Sequence, residues 1–275
     1  MGWTLSPRFS ICLSKRDSDL LRSIQLFFGG IGVLKTVRNF IYFDINSASD
    51  LAVLFIHLGK YPLVSTKRYM FAIFSVIHHM YLAKEHLTPN GFMLCIAYIN
   101  ALNRAITPAT LLAITSRYGA LPSIALSPVP IIIHYVLNPD WIVGFVCGEG
   151  CFSYLSRKRV TSQGLVKIDY TLIFEVAQIA IDSLLLKAIL NHILASGCRG
   201  SYFAQVNAAC RIRIASLDSL QHSVLPFFTN YPLIGHKALQ YSVWLEAVIL
   251  MMSEQQYTDA RQMKLAQILA RLSKL

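Results

Sequence analysis

The sequence predicts an α+β protein made of two pseudo-symmetric αββαββα units with antiparallel sheets, the first unit short at its N-terminus. Three observations carry this. The chain repeats itself, strand-type alternation and helix-type spacing follow the same order in both copies, and 275 residues with 55% hydrophobic content are enough for one large core or two ordinary ones.

Two anchors define the repeat. "KYPLVSTK", Lys60 to Lys67, matches "NYPLIGHK", Asn230 to Lys237, so Tyr61, Pro62, Leu63 and Lys67 recur as Tyr231, Pro232, Leu233 and Lys237. Upstream, "FSICLSKRDSDLLRSIQLFFGGIG" from Phe9 matches "FEVAQIAIDSLLLKAILNHILASG" from Phe174, with Asp17, Leu20, Leu21 and Gly32 answering Asp182, Leu185, Leu186 and Gly197. The offset grows from 165 to 170 between the anchors, a loop insertion of five.

In the second copy, "VKIDYTLIFEVAQ" alternates. Ile168, Tyr170, Leu172, Phe174 and Val176 lie on one face and Lys167, Asp169, Thr171 and Glu175 on the other, the pattern of a half-buried strand. Asp182 stands at a helix N-cap position, "SLLLKAILNHILAS" has helical spacing, and Gly197 supplies the stop. Short strands "SYFAQ" and "ACRIRIAS", a helix through "HSVLPFF" and a longer helix from about Lys237 complete the unit. In the first copy, "NFIYFDINS" turns Phe43 and Ile45 inward and Tyr42 and Asp44 outward, while the glycines of "FFGGIG", with neither a phosphate-loop lysine nor a preceding strand, read as a helix stop.

The predicted boundaries are 1–104 for the first unit, 105–137 for an extended Pro-rich linker and 138–275 for the second unit. The last opens with a helix over 139–149, where Asn138 caps, Pro139 takes the first position and Asp140 favours the first turn. That helix ends on a lone carboxylate, Glu149, between Gly148 and Gly150. A carboxylate at the end of an apolar run is costly unless it is paired or ionised for a cation.

A formal charge of +11 suits a polyanionic partner such as nucleic acid or an anionic membrane surface. The hydrophobic content raises a membrane protein as rival. However, Pro122, Pro128, Pro130 and Pro139 punctuate the longest uncharged run, and no membrane partner is expected. The opening "MGWTLSPRFS" has no signal-peptide pattern and no Arg-rich transit character. Six scattered cysteines fit neither a disulfide scaffold nor a structural zinc site; Cys147 and Cys151 read as small packing residues. His78 and His79, being adjacent, point about 100° apart on a helix and cannot share a metal through local spacing. Both are expected at the surface or half-buried.

"WIVGFVCGEGCF", with the surrounding "FEVAQ", "DSLLLKAIL", "LPFFTNYPLIGHK" and "KEHLTPNG" blocks, resembles the LAGLIDADG homing endonucleases of the two-motif, organelle intron-encoded type, over almost the whole chain. The resemblance implies two signature helices packed at the centre of a saddle of two four-stranded sheets. Each helix would deliver one acid to divalent metal at the scissile phosphates of double-stranded DNA. Glu149, with Gly148, is then a ligand of Mg²⁺ or another divalent cation, Gln178 stands near the water network, and Lys237 and its repeat partner Lys67 stabilise phosphate charge. Gly144 and Gly148, four apart, would let helix backbones approach. A mitochondrial location is implied, with the plastid second.

On this resemblance, strand parity assigns the DNA-facing residues. Ser153, Leu155, Arg157 and Arg159 project opposite Phe152 and Tyr154, joined by Lys167, Asp169, Thr171, Glu175, Arg211 and Arg213. The first unit contributes Arg8, Ser10, Lys35, Arg38 and Tyr42.

The first copy departs from the pattern. Projecting Glu149 back by 165 residues falls before Met1, so this unit is expected to lack its signature helix, its first strand and part of its second; Leu13 takes the place of Gln178, although Lys67 keeps the lysine. Three readings therefore stand beside one another: a frame beginning upstream, a homodimer through the signature helix, or a catalytically inactive DNA-binding remnant. An intron RNA-binding maturase is the alternative from another class.

Overall fold

Local patterning builds two units, Met1–Ile131 and Ile132–Leu275, in a computed structural model that describes residues 2–102, 106–124, 136–160, 162–164, 166–204, 209–253 and 258–275. In the first unit β1 (Phe9–Ser14) leads to α1 (Ser18–Phe27), then to the hairpin of β2 (Val33–Val37) and β3 (Phe40–Ile45), and on to α2 (Ala48–Lys60), α3 (Lys67–Leu82), α4 (Pro89–Ala101) and α5 (Pro108–Tyr118). The strands form an antiparallel sheet in the order β1-β3-β2. Ile41, Phe43 and Ile45 alternate into a core with Leu21, Leu51 and Leu54, each residue contributing about 2 kcal/mol by leaving water.

Glycines end α1 as the sequence requires. The N–H groups of Gly29 and Gly30 return to Leu26 and Gln25, both residues being left-handed at φ +78° and +79°. Gly32 is more constrained. At φ +67° its N–H donates to Asp50 Oδ2 at 3.1 Å, and a Cβ there would sit 2.7 Å from the carbonyl oxygen of Asp44, so the approach of the α1–β2 turn to β3 admits no side chain.

Two expectations are corrected in this unit. The predicted extended linker 105–137 starts with a helix: α5 is capped by Thr107, has Pro108 at its first turn, and buries Ile114 against Phe92, Met93 and Ile96 of α4. Alternation and proline content concealed its single buried stripe; residues 105 and 125–135 of the predicted linker lie outside the described residues. His78 is not at the surface. It is buried, stacked on Phe55 at 4.5 Å between ring centroids, whereas His79 is exposed and bonded to the carbonyl oxygen of Ser75.

In the second unit α6 (Pro139–Glu149) feeds straight into β4 (Gly150–Val160), which pairs along its whole length with β5 (Val166–Ile179). There follow α7 (Ser183–Ile193), β6 (Ser201–Ala204) and β7 (Ala209–Ile214). The helical run Leu217–Asn230 comprises α8 (Leu217–Ser219), a π turn and α9 (Leu225–Asn230), and it precedes α10 (Gly235–Ser253) and α11 (Asp259–Leu272). Asp182 stands at the cap position of α7 without a side-chain cap bond, and Leu185, Leu186, Ile189, Leu190 and Ile193 form the buried stripe of that helix.

The second sheet has the order β4-β5-β7-β6, so β1-β3-β2 reproduces β5-β7-β6 and the described first unit has no counterpart of α6 or β4. Burial records the difference. Phe174 and Val176 are 1% and 0% exposed in the middle of their sheet, whereas Phe9 and Ile11, their equivalents on the edge strand β1, are only half-buried. Phe152 of β4 packs on Phe174, Phe228, Tyr241 and Trp244, and burial pushes the Tyr241 hydroxyl up to about 12. Among the described residues no helix is long and apolar enough to cross a membrane.

Candidate functional site

The site starts from the capping of α6. Asn138 Oδ1 accepts the Asp140 N–H at 2.8 Å, Pro139 presets the first turn, and Ile142, Val143 and Val146 bury one face against the sheet. The opposite face carries Gly144 and Gly148, both exposed, where an added Cβ would meet nothing within 4 Å. Glu149 is the last helical residue and is exposed. A carboxylate there faces the negative end of the helix dipole, which disfavours it by a few tenths to about 1 kcal/mol and favours a cation beside it. By helix geometry the carbonyl oxygens of the last turn, that of Gly148 included, lack an i+4 partner in the helix.

Gly150 makes the corner from helix to strand. A Cβ on it would lie 2.5 Å from Val146 Cγ1 and 2.7 Å from the Val146 carbonyl oxygen, so no side chain fits. Its own carbonyl oxygen accepts a hydrogen bond from Lys237 Nζ at 2.6 Å, which carries the ammonium from the first turn of α10 to the residue next to Glu149. Gln178 lies two residues beyond Val176, the partner of Gly150, and so is level with the helix tip; its Oε1 accepts the N–H of Ile179. Glu149, Gly148, Gln178 and Lys237 thus cluster at one end of the sheet. Lys67, at the start of α3, is exposed, and the described first unit has no counterpart of α6.

Among the described residues no group of three His, Cys, Asp or Glu side chains comes together. Glu149 and the adjacent backbone carbonyls are hard oxygen donors. Such a partial set suits Mg²⁺, which keeps water and takes phosphate oxygens.

Beyond the tip, the sheet face opposite the core carries the predicted polar residues. Ser153, Thr171, Arg157 and Arg159 alternate outward; Arg157 stands opposite Asp169 and Arg159 opposite Lys167, and Arg159 Nε is bonded to Asp169 Oδ2 at 3.0 Å. Ile173, on the same face, is 3% exposed, an apolar interruption that alternation did not reveal. Glu175 is bound on both oxygens by Arg211 and Arg213. In the first unit, Lys35 and Tyr42 are cross-strand partners; Tyr42 is also opposite Cys12, whose hydrogen bond pushes the phenol up from its ordinary value. Arg38 occupies the β2–β3 turn at φ +52°. Cys151 is exposed rather than packed, because strand parity at the start of β4 turns it away from Phe152. Sequence reasoning missed Gly150 as a member of the site, since a backbone acceptor leaves no local signal.

A family model described as LAGLIDADG endonuclease matches residues 1–78 and 142–248. Two curated proteins of Neurospora crassa are similar: probable intron-encoded endonuclease 3, 28% identical over 94% of this chain, and probable intron-encoded endonuclease 2, 27% identical over 94%. The chain spans about half the length of these relatives, 47% and 56% respectively. Among solved structures, meganuclease I-SmaMI bound to uncleavable DNA aligns with a TM-score of 0.84 at 24% identity, covering 98% of this chain and 88% of that one. The LAGLIDADG homing endonuclease I-GzeII in complex with its DNA target aligns with a TM-score of 0.82 at 22% identity, with the same coverage. The resemblance carried by the signature helix and the repeated blocks, the αββαββα plan of helices on antiparallel sheets, and the family model over most of the sequence agree: this chain belongs to the LAGLIDADG endonuclease family.

Proposed function

We propose that the chain is a site-specific DNA endonuclease of the homing type, hydrolysing a phosphodiester bond at an intron insertion site in mitochondrial DNA. The observation that carries this reading is the pairing of an exposed acid on a helix tip with a tethered lysine: Glu149 ends α6 and Lys237 is bonded to the carbonyl of the next residue. The arginine-bearing outer face of the same sheet extends from that tip, where a two-stranded ribbon fits the major groove.

A divalent cation such as Mg²⁺, held by the Glu149 carboxylate and the Gly148 carbonyl, would polarise a phosphate oxygen and acidify an attacking water. The chain's own groups do the rest. Glu149 offers carboxylate oxygens at the tip, Lys237 sets a positive charge beside the place where phosphate charge develops, and the Gln178 amide orients water at the same end of the sheet. A double-strand cut needs a second acid, and the described first unit supplies none from a signature helix. Pairing of two chains through the open Gly144–Gly148 face would supply it.

The test is cleavage of DNA spanning the intron insertion junction with Mg²⁺ present, comparing the chain with Glu149→Gln. We expect cutting or nicking by the chain and none by the variant, with DNA binding kept by both. Cleavage unchanged in Glu149→Gln overturns the reading, and so does DNA binding that does not weaken as salt rises; neutralising about six phosphates should give a log–log slope near −5.

A further inference from the structure

The two sheets share one register, yet they place opposite charges at the same point in it. In the second unit Glu175 on β5 stands opposite Arg213 on β7; in the first, Ser10 on β1 stands opposite Asp44 on β3. These are repeat equivalents, because Phe174 opposite Ile214 and Phe9 opposite Ile45 precede them.

Around Glu175 two arginines converge. Arg213 closes its fork on Oε2, with Nε at 2.8 Å and Nη2 at 2.7 Å, and Arg211 Nη1 reaches Oε1 at 3.4 Å. The Arg213 guanidinium also lies over the Phe203 ring at 5.5 Å from its centroid. All three charged side chains are partly buried, at 19% exposure for Glu175, 31% for Arg211 and 29% for Arg213, so each pairing is screened less than a surface ion pair. Around Asp44 the balance differs. Arg8 Nε and Nη2 donate to its Oδ1 at 3.0 and 2.9 Å and Ser10 Oγ at 2.6 Å, one arginine to one acid.

Three of the roughly four acceptor sites of the Glu175 carboxylate are taken by arginine N–H groups, which leaves little of it for a cytosine amine, the usual contact of an acid in the major groove. It can hold long side chains in one geometry, which removes the rotamer entropy they would otherwise lose on binding. We infer that Glu175 is a positioning residue for base recognition: it presets Arg211 and Arg213 as a pair of guanidinium groups for guanine edges, while the Asp44–Arg8–Ser10 cluster offers the first sheet a charge-balanced surface. This rests on the proposal that these faces meet DNA.

The experiment measures base preference by competition among duplexes randomised one pair at a time, together with salt dependence and thermal unfolding, for the chain, Glu175→Gln and Arg213→Lys. Glu175→Gln keeps the shape and removes the charge. It is expected to melt within a few degrees of the parent, to bind non-specific DNA more tightly with a salt slope steeper by about one, and to lose about tenfold preference at one or two adjacent pairs. Arg213→Lys keeps the charge but not the fork, and should lose preference at the same pairs with no change in slope. Sequence-specific binding by the parent with an unaltered profile in both variants overturns the inference alone. Absence of salt-dependent DNA binding by the parent overturns the DNA reading, and this inference with it.

Discussion

Lys237 reaches 87 residues back along the chain to donate its ammonium to the carbonyl oxygen of Gly150 at 2.6 Å, so the charge of the α10 lysine is fixed one residue from the carboxylate that ends α6. A free lysine spreads its charge over several rotamers, and the hydrogen bond to Gly150 favours one of them. Its place in the unit is set by the corner between α6 and β4.

Replacing Lys237 with methionine should therefore reduce DNA cleavage about a hundredfold, the order seen when one preorganised donor is removed. Affinity should change less than about tenfold. Lys67→Met is expected to matter far less, since the described first unit has no counterpart of α6. Single-turnover cleavage and equilibrium binding, measured side by side, check both; equal losses from the two variants would refute the assignment.

Gly150→Ala places a methyl group against Val146. The contacts of 2.5 and 2.7 Å cannot be relieved by a flexible side-chain end alone, because one of them is to backbone. Overpacking of this kind costs about 1–3 kcal/mol. The variant should melt lower than the parent, and the displaced carbonyl should lower cleavage as Lys237→Met does. Gly144→Ala, where nothing lies within 4 Å, should leave the melting temperature nearly unchanged.

At the β2–β3 turn, Arg38 holds φ +52°, a conformation that costs an ordinary side chain about 1–2 kcal/mol. Glycine would relieve this at an unfolded-state entropy cost of about 0.5–1 kcal/mol. Arg38→Gly is thus expected to equal or exceed the parent in stability while binding DNA more weakly and with a shallower salt slope. Denaturant unfolding and binding titrations separate the two effects.

Protonation of His78 gives a pH dependence with a definite sign. Burial, followed by the neighbouring His79, lowers the pKa of His78 from 6.5, and its Nε2 has no hydrogen-bond partner among the described residues. The unfolded chain accordingly binds a proton that the folded chain refuses. The contribution is complete above about pH 6.5 and is lost as pH falls from there toward the lowered folded value, at up to about 1.4 kcal/mol per pH unit. His78→Phe, which keeps the stacking on Phe55, should flatten this dependence when melting temperatures at pH 7.5 and 5.5 are compared.

Much of this could be read before any coordinates. Strand alternation placed Phe43, Ile45, Phe174 and Val176 in the cores, Asn138 and Pro139 started α6, and the repeat aligned β1 with β5. The failures share a cause. The stripe of α5 was too short to stand out in a proline-containing segment, Ile173 broke the polar parity of its strand, and the burial of His78 depends on Phe55 from another helix.

By itself the sequence determined what depends on residues near one another in the chain: period-two and helical patterns, caps, glycine stops, a repeated order of elements, and a lone acid at a helix end. Only the tertiary structure decided that Lys237 meets Gly150, that Glu175 is occupied by two arginines, and that the equivalent position in the other sheet holds Asp44 with Arg8. Such contacts join residues tens of positions apart. Their geometry follows from how sheets and helices pack, which no local spacing encodes.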